Sequence, residues 1–166
     1  SVRPTSDRAK ETLFNIFGDR VRGGVFLDLF SGSGSIGLEA ASRGASEVVL
    51  VEKDPATFAL LCENLARCGL DDRVTALRLD GAESLDLFRE QGRSFDVIFL
   101  DPPYRDPEAY GLISLLDREG LLAAEGVLVA EHDRRRLLPE QEGSLVRVRQ
   151  KRVGDTIFSF YRKAGK

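Results

Sequence analysis

The stretch Val25-Phe26-Leu27-Asp28-Leu29-Phe30-Ser31-Gly32-Ser33-Gly34-Ser35-Ile36-Gly37 decides the fold. Val25 to Phe30 is a short, mostly apolar run of the kind that fills a buried strand. Glycines at 32, 34 and 37 follow, and Ile36 to Arg43 then reads as a helix that Gly44 stops. Strand, glycine turn and helix in that order make the first unit of an α/β sheet. Glycine lets the backbone turn tightly and approach a ligand, and the helix start offers free N–H groups. The turn alone does not choose that ligand. Its spacing suits NAD, FAD, S-adenosylmethionine or plain helix–strand packing.

Outward from this unit the same alternation repeats. Ahead of it, Thr5 to Phe17 puts Ala9, Leu13, Ile16 and Phe17 on one face of a helix, with Thr5 or Ser6 to cap it and Gly18 to end it. Behind it, Glu47 to Glu52 is a second strand, and Pro55 opens a helix that runs to Cys68 before Gly69. Arg73 to Leu79 is a third strand, Ala82 to Glu90 a short helix, and Phe95 to Leu100 a fourth strand. Pro107 to Arg118 is a further helix and Gly126 to Glu131 a fifth strand. Leu145 to Arg152 and Thr156 to Arg162 alternate around Gly154-Asp155, which is a hairpin pattern. The expected fold is therefore α/β, a mostly parallel, doubly wound, seven-stranded sheet ending in an antiparallel hairpin. With 166 residues and no linker or repeat, it is expected as a single domain over 1–166: an N-terminal helix 5–17, a core 25–131 and a hairpin 145–162.

Composition narrows the class. Hydrophobic residues make up 42% and charged residues 31%, and no apolar run is long enough to span a bilayer, so a cytoplasmic protein away from membranes is expected. Cys62 and Cys68 lie six apart in one helical stretch, which points them in different directions and favours two reduced packing residues over a disulfide. Two thiols are too few for a structural zinc site, and no metal is expected. The net charge is −3, but its distribution is uneven: residues 132–166 carry ten Lys and Arg against four Asp and Glu. An acidic body with basic ends suits a protein that meets a polyanion on one face, although solvated surface charges give the same pattern. The chain opens on Ser1 rather than Met, which suggests that it is processed or truncated.

Three acids sit where strands end. Asp28 is in the first strand. Glu52 ends the second strand, 20 residues after Gly32, where a carboxylate can accept from both ribose hydroxyls of an adenosyl group. Asp80 follows the third strand, where it can face an adenine amino group, cap the next helix, or do both. The class is set by Asp101-Pro102-Pro103-Tyr104 at the end of the fourth strand. In an open α/β sheet ligands lie outside the carboxyl ends of strands. The prolines stiffen the turn and leave carbonyl oxygens free to accept. An exocyclic amine on a base is a poor nucleophile because its lone pair is delocalised. Acceptors on Asp101 and the Pro102 carbonyl hold its two N–H bonds and favour the pyramidal form that frees the lone pair. Tyr104 can stack on the extracted base.

In that order these landmarks resemble the class I, Rossmann-like methyltransferases that act on base amino groups. Two further segments are more specific: Arg3-Pro4-Thr5-x-x-Arg8 with Glu11-x-Leu13-Phe14, and Gly154-Asp155-Thr156 with Phe160-Tyr161-Arg162. With them the chain resembles the bacterial RsmD family, which methylates N2 of one guanine in 16S ribosomal RNA. The resemblance implies S-adenosylmethionine as cofactor. It would be held by Asp28, Phe30, Ser31, Gly32, Ser33 and Gly34 on its methionine side, by Glu52 and Lys53 at the ribose, and by Asp80, Gly81 and Ala82 at the adenine. Asp101, which would also touch the cofactor, Pro102, Pro103 and Tyr104 would hold the base, and Arg3, Thr5 and Arg8 would close over the site. It also implies 16S rRNA in the small subunit or its assembly intermediate as partner, a monomer, and a basic, glycine-containing segment ahead of Arg3.

The cofactor and Asp-Pro-Pro-Tyr motifs leave the polymer open. A DNA adenine-N6 or cytosine-N4 methyltransferase would use the same residues, though no separate recognition region is visible. Cytosine-C5 chemistry needs a cysteine nucleophile, typically beside a proline, and neither Cys62 nor Cys68 has one. An NAD oxidoreductase would share the glycine turn, but not the hairpin ending or the Asp-Pro-Pro-Tyr turn. His132, after the fifth strand, is expected at the surface or behind the site, without a catalytic role.

Overall fold

Helix α1 (Asp7–Phe17) begins one residue after Ser6, whose hydroxyl accepts from the Ala9 N–H at 3.1 Å. It starts later than the expected Thr5 because the Thr5 side chain is engaged elsewhere, at the end of a distant strand. Residues 5–69, 72–102 and 107–165 are described in this computed structural model. Strands β1 (Val25–Leu29), β2 (Glu47–Val51), β3 (Val74–Leu77), β4 (Phe95–Leu100) and β5 (Leu122–Asp133) alternate with α2 (Ser35–Ser42), α3 (Pro55–Cys68), α4 (Gly81–Glu90) and α5 (Leu112–Arg118). Three further strands close the chain: β6 (Gln141–Glu142), β7 (Leu145–Val153) and β8 (Thr156–Lys163).

The sheet has eight strands in the order β3-β2-β1-β4-β5-β8-β7-β6. The first five are parallel, and β8 pairs antiparallel with β5, with Ala130 opposite Ser159 and Glu131 opposite Phe158. This is the expected Rossmann-like sheet with one strand more than seven. The extra strand is β6, a pair of residues opposite Leu145 and Val146, too short to carry any periodicity. The expected helix from Pro107 divides into a 3₁₀ turn (Pro107–Gly111) and α5.

Both faces of the parallel strands β1, β2, β4 and β5 are buried, as parallel strands require. One face carries Phe26, Leu50, Phe99, Phe158 and Phe160 beneath α1, α2 and α3. The other carries Leu27, Leu29, Ile98, Leu128 and Tyr161 beneath α4 and α5. Phe14 stacks on Phe26 at 6.3 Å and Phe17 meets Phe160 edge-on at 6.3 Å, so α1 lies across the sheet from β1 to β8. Each such side chain stabilises the fold by roughly 1.5–3 kcal/mol when fully buried. That packing fixes α1 and with it the segment that leads into it. The two cysteines are free and exposed on α3, not packing residues as expected, because α3 buries only Leu61 fully. No helix among the described residues is long and apolar enough to cross a membrane.

Candidate active site

The chain leaves β1 toward β2 on one side and returns through β4 on the other, so the strand order reverses between β1 and β4 and a crevice opens at their carboxyl ends. The glycine turn forms its wall. Phe30 takes φ +61, a strained conformation for an aromatic residue, which turns the chain sharply off β1. The Ser31 N–H then donates to the Val51 carbonyl at 2.9 Å, the Ser31 hydroxyl to the Asp28 carbonyl at 2.8 Å, and the Gly34 N–H to the Ser31 carbonyl at 2.8 Å. From α3, Asn64 donates to the Ser33 carbonyl at 2.9 Å. Glu52 ties this turn to the next strand end: one carboxylate oxygen accepts from the Gly32 N–H at 2.9 Å and the other from the Asp54 N–H at 3.0 Å. Its carboxylate is thereby held in one orientation, half-buried, with lone pairs left for ribose hydroxyls.

Three acids line the floor. Strand alternation puts Asp28 beside Phe26, Asp101 beyond Phe99 and Glu131 beyond Val129, all toward the α1 side of the sheet. Leu100 pairs with Ala130 in parallel register, so Asp101 and Glu131 are neighbours at the ends of β4 and β5. Asp28 is 1% exposed and accepts from the Gly37 N–H at 3.1 Å. Burial raises its carboxyl to about 8, opposed by that N–H and assisted by the charges of Glu131 and Glu52. Burial also raises Asp101 well above the usual carboxylate range, reinforced by Glu131 and Asp28. Glu131 rises to about 7 through burial, against the pull of the Thr5 hydroxyl, which donates to it at 2.7 Å. Among the described residues, no Lys, Arg or His pairs with any of the three. A row of uncompensated carboxyls beside a glycine turn is suited to a cationic ligand and to N–H donors.

The structure brings most of the expected residues to this edge. Phe30 to Gly34, Glu52, Lys53, Asp80, Gly81, Ala82, Asp101 and Pro102 follow one another along the carboxyl ends of β1 to β4. Lys53, Asp80 and Ala82 are exposed, and Gly81 is buried against Phe30 and Leu112, where an added Cβ would stand 3.3 and 2.9 Å from them. Asp80 also caps α4, with its N–H donating to Glu83 at 3.3 Å. Asp28 lies beneath the turn and holds α2 in place. Thr5 reaches the site through Glu131, whereas Arg8 is exposed on the first turn of α1. Arg3, Pro103 and Tyr104 lie outside the described residues.

Sequence reasoning missed three residues. Glu131 closes the apolar run Gly126 to Glu131 as Asp101 follows the run Phe95 to Leu100, and that parallel was the available signal. Tyr110 donates its hydroxyl to the Glu131 carbonyl at 2.7 Å while the Arg136 guanidinium sits 4.8 Å over its ring. Burial, with Asp101 and Glu131 nearby, holds that phenol protonated. His132 is buried rather than superficial: Nε2 accepts from the Ser159 hydroxyl at 2.7 Å and Nδ1 faces the Asp133 carbonyl at 3.1 Å, which fits a neutral ring. Burial lowers its pKa accordingly. A shallow hollow lined by Phe14, Gly18, Arg22 and Arg43 lies at the opposite edge of the sheet and has none of these groups.

An open sheet of this order, with a glycine turn, a ribose-side acid and an Asp-Pro turn along one edge, defines a Rossmann-like methyltransferase domain. The chain belongs to the family described as Conserved hypothetical protein 95, whose model matches residues 1–162. It is 39% identical over 165 residues to "Putative rRNA methyltransferase YlbH" of Bacillus subtilis (strain 168), covering 99% of this chain and 90% of that one. It is 32% identical over 162 residues to "Ribosomal RNA small subunit methyltransferase D" of Escherichia coli (strain K12), covering 98% and 80%. A solved structure of a conserved hypothetical protein from Streptococcus pyogenes superposes with a TM-score of 0.85 at 33% identity, covering 94% of this chain and 96% of that one.

Proposed function

We propose that the protein transfers a methyl group from S-adenosylmethionine to the exocyclic N2 of a guanine in small-subunit ribosomal RNA. The observation that carries this reading is the acidic floor beside the glycine turn, with no cationic partner among the described residues and with Asp101 at the switch point of the sheet. The relatives' names supply the polymer. The donor set fits the cofactor: Phe30 to Gly34 would follow its methionine part, Glu52 and Lys53 the ribose, and Asp80 to Ala82 the adenine. When bound, S-adenosylmethionine supplies an electrophilic methyl carbon on a sulfonium.

The chain's own residues do the rest. Asp101 and the Pro102 carbonyl accept the two N–H bonds of the amino group and aim its lone pair. Among the described residues, no hydrogen bond engages the Asp101 carboxyl. Methylation makes the nitrogen acidic, and its proton leaves to Asp101 or to water. Pro103 stiffens the turn and Tyr104 stacks on the base, roles given by the sequence. A base in folded RNA must first leave its stack. The hairpin offers a surface for the backbone: Arg149 and Lys151 on β7 are exposed, opposite Phe160 and Phe158, on the same sheet face as Asp101. The partner is the small subunit or an assembly intermediate, met by a monomer in the cytoplasm.

The test is an Asp101→Ala variant assayed with labelled S-adenosylmethionine and unmethylated small-subunit RNA. It should bind the cofactor like the wild type, by calorimetry, and transfer methyl at least about 100-fold more slowly. Wild-type turnover in that variant would remove Asp101 from the mechanism.

A further inference from the structure

Glu131 is unused by the mechanism above, yet it is the other half of a pair. It stands next to Asp101 across β4 and β5 on the same sheet face, 9% exposed, with no cationic partner among the described residues. Among the described residues, the Thr5 hydroxyl donates to its Oε1 at 2.7 Å. Its backbone carbonyl is held by the Tyr110 hydroxyl at 2.7 Å. The pair is thus fixed from α1's leading segment on one side and from the turn before α5 on the other. Neighbouring strands lie about 4.8 Å apart, so two carboxyls in this register can meet adjacent atoms of one planar ring.

Two acceptors side by side suit two donors side by side. Guanine alone among the four bases carries an amino group next to a ring N–H, at N2 and N1. Adenine and cytosine present their amino group next to an unprotonated ring nitrogen, which would face a carboxylate lone pair to lone pair. We infer that Glu131 is a specificity-determining residue that accepts the guanine N1–H while Asp101 holds the N2 amino group. The inference rests on the proposed base methylation and adds the residue that reads the base. Burial raises both carboxyls, and the N–H donors of a guanine edge would favour their charged, accepting form against it. Rejection through an unpaired buried polar group is the stronger kind of discrimination, reaching orders of magnitude where a pocket is built to hydrogen-bond.

The experiment uses RNA carrying either guanine or 2-aminopurine at the mapped methylation position. 2-Aminopurine keeps the amino group but has no N1–H. Wild type should methylate guanine with at least about tenfold higher kcat/KM than 2-aminopurine. In Glu131→Gln, checked for unchanged cofactor binding, that preference should shrink about tenfold or more, because the amide can turn its NH2 toward a bare N1. A wild-type enzyme indifferent to the two bases overturns the inference without any variant. So does a Gln variant that slows on both bases equally, which is the behaviour of a residue that only anchors Thr5. Failure of the wild type to label guanine in any ribosomal RNA is seen first and removes the functional reading together with this one.

Discussion

Replacing Gly34 with alanine tests whether the glycine turn is shaped by packing as well as by φ. Gly34 sits at φ +86, where an L residue costs about 1–2 kcal/mol. An added Cβ would also overlap Leu61 Cδ1, and it would stand 3.6 Å from both Leu38 and Leu50 Cδ1. Leu61 is 0% exposed, so it has no space to swing into, and such overpacking adds about 1–3 kcal/mol. The sum is a loss of roughly 2–5 kcal/mol. Gly69, at φ +67 with nothing within 4 Å of its Cβ position, carries the backbone cost alone, and Gly69→Ala should lose about 1 kcal/mol. The Gly34 N–H also closes the turn onto the Ser31 carbonyl, so its displacement should weaken S-adenosylmethionine binding about tenfold or more, while Gly69→Ala leaves binding intact. Urea denaturation and calorimetry read both effects. A Gly34→Ala protein no less stable than Gly69→Ala, with wild-type affinity, would refute the reasoning.

Asp28 and Glu131 have folded-state pKa values of about 8 and 7, above their ordinary 3.8 and 4.5, so the folded protein binds more protons than the unfolded chain between those limits. Their contribution is complete at acid pH and is lost as pH rises from about 4 to 8, so the urea midpoint should fall from pH 5 to pH 8.5 and Asp28→Asn should flatten that slope; a wild-type midpoint that rises over this range contradicts the burial argument. On the hairpin, Arg149 and Lys151 are exposed and have no ionic partner among the described residues. The double change to Glu should weaken RNA binding and flatten its salt dependence while cofactor affinity stays put; unchanged RNA affinity across a salt titration would remove β7 from the interface.

Much of this was legible because it is local. The strand, glycine turn and helix from Val25 to Gly37 are contiguous, and Glu52 and Asp101 each end an apolar strand next to a turn. What escaped is set by register between distant segments. Glu131 became part of the site only when Leu100 paired with Ala130. Thr5 became its partner only when Phe14 and Phe17 seated α1 across the sheet. His132 was expected at the surface or behind the site, and its strand has no alternation to reveal that β8 covers it with Ser159. The Gly37 N–H on Asp28 was likewise not visible in the sequence, because it depends on how α2 seats over β1. Cys62 and Cys68 fall in a helical stretch whose buried face is narrower than its composition suggests.

The nucleoside that carries the label decides which reaction the protein catalyses. Wild-type protein and labelled S-adenosylmethionine would be incubated with unmethylated small subunits, naked 16S RNA, transfer RNA and duplex DNA, and the products digested and separated. Label is expected in N2-methylguanosine from the ribosomal substrates and none from DNA. Label in N6-methyladenine or N4-methylcytosine from DNA would contradict it.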